Sequence, residues 1–317
     1  MESKNNWKAW LYLAPVLILM AVFTFYPILN TFYISFLKNY NYLRPDQFSG
    51  FTFDNYIDIF TPYISGSGSG SYFQDVVQIA LPNTLLLTVI TVPLSIFLAL
   101  IIAIGLNSIK FLQKIFQTVF FLPYVTNAIA IGMVFAVIFD TDYGIFNAIF
   151  GTAHHPWITP SPQFPDNPVN YWSGVFAICF YIIWSSLPYK ILIFLGGLQN
   201  VDKQYYEAAQ IDATPKWKTI WKITIPLLSP QIMYVMVTSF IGAFKEYDSV
   251  IGLFGVSGGN FDQNTGPRNM TTMVYFIYDQ IDKNMVHYAS AAAVVLFIII
   301  MIFTALQFWV SKKRVHY

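Results

Sequence analysis

Charged residues are spaced so that six long windows carry none: 9–37, 79–106, 117–139, 169–189, 223–244 and 289–310. Each reaches the roughly 20 residues a helix needs to cross the hydrocarbon of a bilayer. The apolar positions within them run on without a period of two, which predicts helices rather than barrel strands. The pattern predicts an all-α polytopic membrane protein with spans at about 10–36, 80–106, 117–139, 171–194, 226–252 and 288–310, in one transmembrane domain covering 1–317. The first window is too long for the apolar core of a signal peptide and has no small-residue cleavage site soon after it, so it reads as a retained span.

Composition agrees. Only 10% of the 317 residues are charged and 56% are hydrophobic, against about 25% charged in a soluble domain. The net charge of +1 says little, but its distribution sets an orientation. With the N-terminus in the cytoplasm, the inner segments hold Lys4, Lys8, Lys110, Lys114, Lys203, Lys216, Lys218, Lys222, Lys312, Lys313 and Arg314. The outer ones hold Lys38, Arg44, Arg268 and Lys283. That asymmetry obeys the positive-inside rule and predicts both termini in the cytoplasm. Lys190, at the end of span four, and Lys245, in span five, stand apart.

The outer pieces 49–60 and 140–151 read as amphipathic surface segments, and "SGSGSGS" (65–71) as a flexible connector. A single cysteine, Cys179, excludes an internal disulfide. His154 and His155 have no third ligand at metal spacing, so no metal site is expected.

One inner segment, "EAAQIDATPKWKTIWKITIPLLSP" (207–230), fits neither a span nor an ordinary loop. Asp202 is placed to cap a short helix through 203–213. Thr214 and Pro215 predict a second start, a capping hydroxyl followed by proline at the first helical position. In that helix Trp217, Ile220 and Trp221 share one face and Lys216, Lys218 and Lys222 take the rest. Pro226 ends or kinks it. Composition alone leaves three readings of this pair in loop 197–225: helices lying on anionic lipid, a knob for a soluble partner, or a packed loop without one.

The same residues resemble the signature of type I binding-protein-dependent ABC importers: Glu-Ala-Ala, three residues, Gly, nine residues, Ile, one residue, Leu-Pro. Glu207, Ala208, Ala209, Ile223 and Pro226 match at the required spacing, while Ala213 replaces the usual Gly and Ile225 the usual Leu. Further blocks, "FDNYIDIF" (53–60), "NTLLLTVITVPLSIFLAL" (83–100), "FFLPYV" (120–125), "FDTDYGIFNAIFG" (139–151) and "HYASAAAVVLFIII" (287–300), resemble the first permease of the maltose-type and glycerol-phosphate-type carbohydrate branch.

The resemblance implies two short coupling helices between spans four and five that dock on an ATPase through Glu207, Ala208, Ala209, Asp212, Ala213, Trp217, Ile223 and Pro226. The chain has no GxxxxGK[ST] loop. ATP and Mg are therefore expected on a separate ATPase, and the chain itself is expected to hold no cofactor and to do no covalent chemistry.

Implied partners are a second permease, a paralogue; two ATPase subunits; an extracytoplasmic solute-binding protein; and membrane lipid, with no nucleic acid. The implied location is a bacterial cell membrane. Under this reading span five lines the path of a sugar or oligosaccharide, and Lys245, Glu246, Tyr247, Asn127 and Trp184 are its candidate contacts, because charge within a span marks pathways. The competing reading puts Lys245 at the outer end of span five, snorkelling. Two alternatives for the function stay open: an importer of a non-sugar solute such as a polyol phosphate, and a secondary transporter with no ATPase.

Overall fold

The computed structural model describes residues 6–45, 48–62, 72–109, 115, 118–119, 122, 124–152, 154–161, 163 and 167–311. The connector 65–71 and part of the expected third span lie outside them. Among the described residues the chain is helical, and its one β contact is an isolated antiparallel bridge between Leu37 and Phe51.

Among the described residues, four helices are long and apolar enough to cross a membrane: α1 (Trp10–Ser35), α3 (Gln74–Ser108), α6 (Tyr171–Gln199) and α12 (Val286–Ser311). Between them lie α2 (Asp54–Phe60), α4 (Ala128–Ile138), α5 (Ile145–Phe150) and α7 (Lys203–Ile211), then α10 (Asp248–Phe254) and α11 (Met273–Asp282). A bent pair, α8 (Lys216–Leu227) and α9 (Ser229–Phe244), turns through 66° at its break and supplies a fifth apolar crossing if counted as one.

The stretch 226–252, expected as a single span, is not one helix: α9 stops at Phe244 and α10 starts at Asp248. The consecutive polar residues Lys245 and Glu246 mark the interruption. Of the expected third span, the longest described helix is the 11-residue α4, and residues 118–119, 122 and 124–125 ahead of it are also helical.

By its contacts the chain divides into two units. In the first, Met1–Val77 with Phe276–Ile298, α1 is apolar on all sides, and only Ile34 and Ser35 at its end are buried. That end is pinned by polar contacts. Asn55 Nδ2 donates to the carbonyls of Ser35 (2.8 Å) and Leu37 (3.0 Å), and Tyr56 donates to Ser35 Oγ at 2.7 Å. Tyr288 donates to Asp58 at 2.7 Å.

In the second unit, Gln78–Tyr275 with Ile299–Tyr317, α3 packs along α6. Ala99 and Ala103, one turn apart on α3, are fully buried with Ile191, Phe194 and Leu195 of α6. Small residues let helix backbones approach where lipid offers no hydrophobic driving force. Thr84, Thr88 and Thr91 each return their hydroxyl to the carbonyl four residues back at 2.7 Å, so the α3 wall buries no unmet donor there. α10 crosses α4 glycine to glycine: a Cβ built at Gly132 would stand 2.6 Å from Gly252 Cα. Only glycine permits that approach.

Candidate functional site

Two features of the second unit depart from ordinary burial, and α6 and α9 run to both. The first is the helix pair between them. Asp202 caps α7, its Oδ1 accepting from Gln204 N at 3.0 Å. α7 ends in a Schellman motif: Thr214 N donates to Ala209 O (2.9 Å) and Ala213 N to Gln210 O (3.0 Å). Ala213 takes the left-handed φ of 49° that this turn needs. Alanine thus makes the turn usually given to glycine, at a cost of about 1 kcal/mol.

Thr214 does not cap the second helix as its sequence suggests. Pro215 occupies the N-cap position with φ −63° and ψ 144°, and no side chain caps the helix. Its proline ring already presets the entry. Residues Ile220–Thr224 widen into a π-turn ahead of Pro226, which has no N–H to continue an α ladder. Tyr206 and Thr224 bond at 3.3 Å and tie the two helices together.

Among its exposed charges the pair presents large apolar side chains. Ile211 is 85% exposed and Trp217 70%, and Trp221 stands edge-on to Trp217 with ring centroids 5.5 Å apart. Glu207, Ala208, Asp212 and Ala213 are exposed beside them, Ala209 is buried, and Ile223 and Pro226 are half-buried.

The second feature is a cavity of about 350 Å³ between α3, α6 and α9. Its wall carries Thr91, Ser185, Ser186, Thr238, Ser239 and the acid Glu246. Tyr124 and Tyr189 stack with an interplanar angle of 16° and offer an aromatic face. Lys190 also lines it, only 5% exposed; its Nζ donates to Ser186 Oγ at 3.1 Å and, in a shorter bond, to Ser95 Oγ. A larger groove of about 760 Å³ between α9 and α12 is lined by Ile232, Met236, Phe240, Phe303, Leu306 and similar residues. Its apolar wall suits a hydroxyl-rich molecule poorly.

Of the residues singled out for a solute path, the structure brings one, Glu246, to the polar cavity. Lys245 is exposed and caps α9, and Tyr247 caps α10 and packs on Tyr275. Asn127 caps α4, accepting from Ala130 N at 3.1 Å. Trp184 packs against Phe135 at 5.1 Å. The wall residues Ser185, Ser186, Tyr189 and Lys190 were not singled out, although they recur at i, i+4 on one helix. Ser239 and Gly242 lie at i, i+3 on α9, and Glu246 follows just beyond its end. Polar residues at helical spacing within and at the ends of the apolar windows are the available signal.

The two histidines serve the loop: His154 Nδ1 lies 3.1 Å from Asp142 Oδ1, and His155 Nε2 lies 3.0 Å from Ser173 Oγ.

Residues 92–316 match the family described as binding-protein-dependent transport system inner membrane component. Among curated proteins, the chain is 31% identical to the lactose transport system permease protein LacF of Rhizobium radiobacter, over 97% of this chain and 95% of that one. It is also 31% identical to the arabinooligosaccharides transport system permease protein AraP of Bacillus subtilis, over 95% and 88%. Among solved structures, a bacterial alginate ABC transporter in complex with an alginate pentasaccharide-bound periplasmic protein shares the fold. The TM-score is 0.74 at 17% identity, covering 98% of this chain and 96% of that one. The chain is therefore a multi-pass membrane protein that belongs to the binding-protein-dependent transport system inner membrane components.

Proposed function

We propose that this chain is the permease subunit of an ATP-driven importer and forms the translocation path for a sugar or oligosaccharide. One observation carries the reading. The exposed helix pair and the hydroxyl-lined cavity hang on the same two helices, so a push on α7 and α8 is delivered through α6 and α9 to the cavity walls. The family membership and the relatives named for lactose and arabinooligosaccharides support the substrate class.

In this reading Ile211, Trp217 and Trp221 meet an apolar groove on a separate ATPase, which binds ATP and Mg. Glu207 pairs with a basic residue of that groove. A second permease completes the path, and an extracytoplasmic binding protein delivers the solute. The lysine asymmetry supports six spans with both termini inside, α4 belonging to the third and the α9–α10 pair to the fifth. The mechanism is alternating access: each state of the ATPase favours one face of the cavity by differential binding free energy.

Affinity purification of the intact complex tests the reading. The expected result is stoichiometric recovery of an ATPase and a second permease, with ATP hydrolysis stimulated by solute-loaded binding protein. A chain that transports in proteoliposomes with no ATPase present is a secondary transporter, and the reading is wrong.

A further inference from the structure

Lys190 is a cation buried within a long apolar helix and held by two neutral hydroxyls. No carboxylate of a described residue forms an ion pair with it. A charge in such a place is expensive and persists where it has a task. An ammonium has three donors, and the two serines take two. Glu246 lines the same cavity from the α9 side, and its Oε1 accepts from Ser249 N at 3.2 Å. That bond fixes the carboxyl at the start of α10. The cavity therefore carries one donor-only group, one acceptor group, an aromatic face from Tyr124 and Tyr189, and several hydroxyls. One basic and one acidic side chain thus line the same hollow.

We propose that Lys190 and Glu246 together determine specificity for an uncharged polyhydroxylated solute, Lys190 donating to one hydroxyl and Glu246 accepting from another while a ring lies on the tyrosine face. This rests on the carbohydrate reading above and adds its charge class. An acid group on the solute gains from Lys190 only what it loses against Glu246, and it must also shed its hydration. The neutral ring keeps both contacts, so the cavity rejects acidic saccharides by its own construction.

The test measures binding to the intact complex in lipid nanodiscs without its binding protein, by saturation-transfer NMR. The probes are lactose, maltose and arabinobiose, and the aldonic acids made by oxidising their reducing ends. The wild-type complex should bind a neutral sugar at least tenfold more strongly than its aldonate. Glu246→Gln, which keeps the bond to Ser249, should reverse that ratio, because Lys190 is then uncompensated. Lys190→Met should weaken the neutral sugar at least tenfold and leave the aldonate unbound. A purely structural Lys190 shifts both members of each pair alike. Ratios that stay within twofold of wild type in Glu246→Gln overturn the proposal, even if Lys190→Met fails to fold. A wild-type complex that binds none of the six probes overturns the carbohydrate reading and the proposal with it.

Discussion

The helix pair and the cavity break the burial rule in opposite directions. At the pair, Ile211 and Trp217 stand 85% and 70% exposed, although each would gain by being covered. At the cavity, Lys190 is 5% exposed in a helix whose other faces are apolar. Exposed apolar area is a demand for cover, which the proposed function assigns to a protein surface. A buried ammonium and a half-buried carboxyl around a hollow are a demand for something polar inside it. The two demands differ in chemistry but share a frame, because α6 enters the pair and α9 leaves it. The pair adjoins the ends of α6 and α9 and the cavity lies further along both, so the two unmet requirements share one frame.

The sharpest way to break this comparison is at Glu207. Glu207→Lys reverses the charge at the exposed face without touching the cavity. The account expects solute-stimulated ATP hydrolysis of the reconstituted complex to fall at least tenfold, or the ATPase to dissociate, since one-sided loss of a partly desolvated pair is costly. Unstimulated solute binding in the cavity should persist. Hydrolysis at the parental rate would separate the pair from the motor.

Gly132→Val comes next. Its methyl groups would meet the backbone of Gly252, which cannot swing aside as a side chain can. Overpacking of this kind costs about 1–3 kcal/mol. A fall in the thermal midpoint of the detergent-purified chain, relieved by no second-site change in the helix pair, is expected. An unchanged midpoint would mean that α4 and α10 do not cross at these glycines.

A smaller effect sharpens the view of the pair itself. Ala213→Gly removes the strain of a left-handed alanine and should stabilise the α7–α8 turn by about 1 kcal/mol. Slower amide exchange at Ala213 and Thr214 positions reads it out. Faster exchange would show that the turn is not left-handed.

The smallest effect concerns pH. Burial lowers the His155 imidazole from its ordinary range, disfavouring the charged form. A folded value below the unfolded one gives stability that is complete above the unfolded pKa, near 6.5. That stability is lost as pH falls through the lowered folded value. The loop around Trp157, whose ring packs on His155 at 4.4 Å, should loosen on acidification. Tryptophan emission of wild type and His155→Gln checks this, and an identical acid response in both would refute it.

Much of this was legible in the sequence because it depends on spacing. The apolar windows foretold α1, α3, α6 and α12, and the run 207–226 foretold a helix pair with Asp202 as its first cap. The sequence does not show the break at 245–247, although Lys245 and Glu246 stand out in it, because charge-free length says where a helix can cross and nothing of where its backbone stops. Thr214 has the look of a cap in the sequence and is not one, because the Schellman turn claims its N–H and Pro215 takes the cap. The cavity was mostly missed for a different reason. Which polar residues of α3, α6 and α9 face one another depends on packing between helices far apart in the chain. Lys190 therefore stood in the sequence as an unassigned charge, and Ser95, its partner 95 residues earlier, as one serine among many.

The most direct test of the central claim follows the accessibility of the cavity as the motor cycles. Cys179 is the only cysteine, so Cys179→Ala with Ser239→Cys places a single thiol on the cavity wall. Labelling by a membrane-impermeant maleimide is measured from each side of proteoliposomes holding the whole complex, at rest and with ATP trapped by vanadate. The account predicts that trapping moves the reactive side from one face of the membrane to the other, and that adding Glu207→Lys abolishes the switch. Labelling from the same side in both states would contradict it.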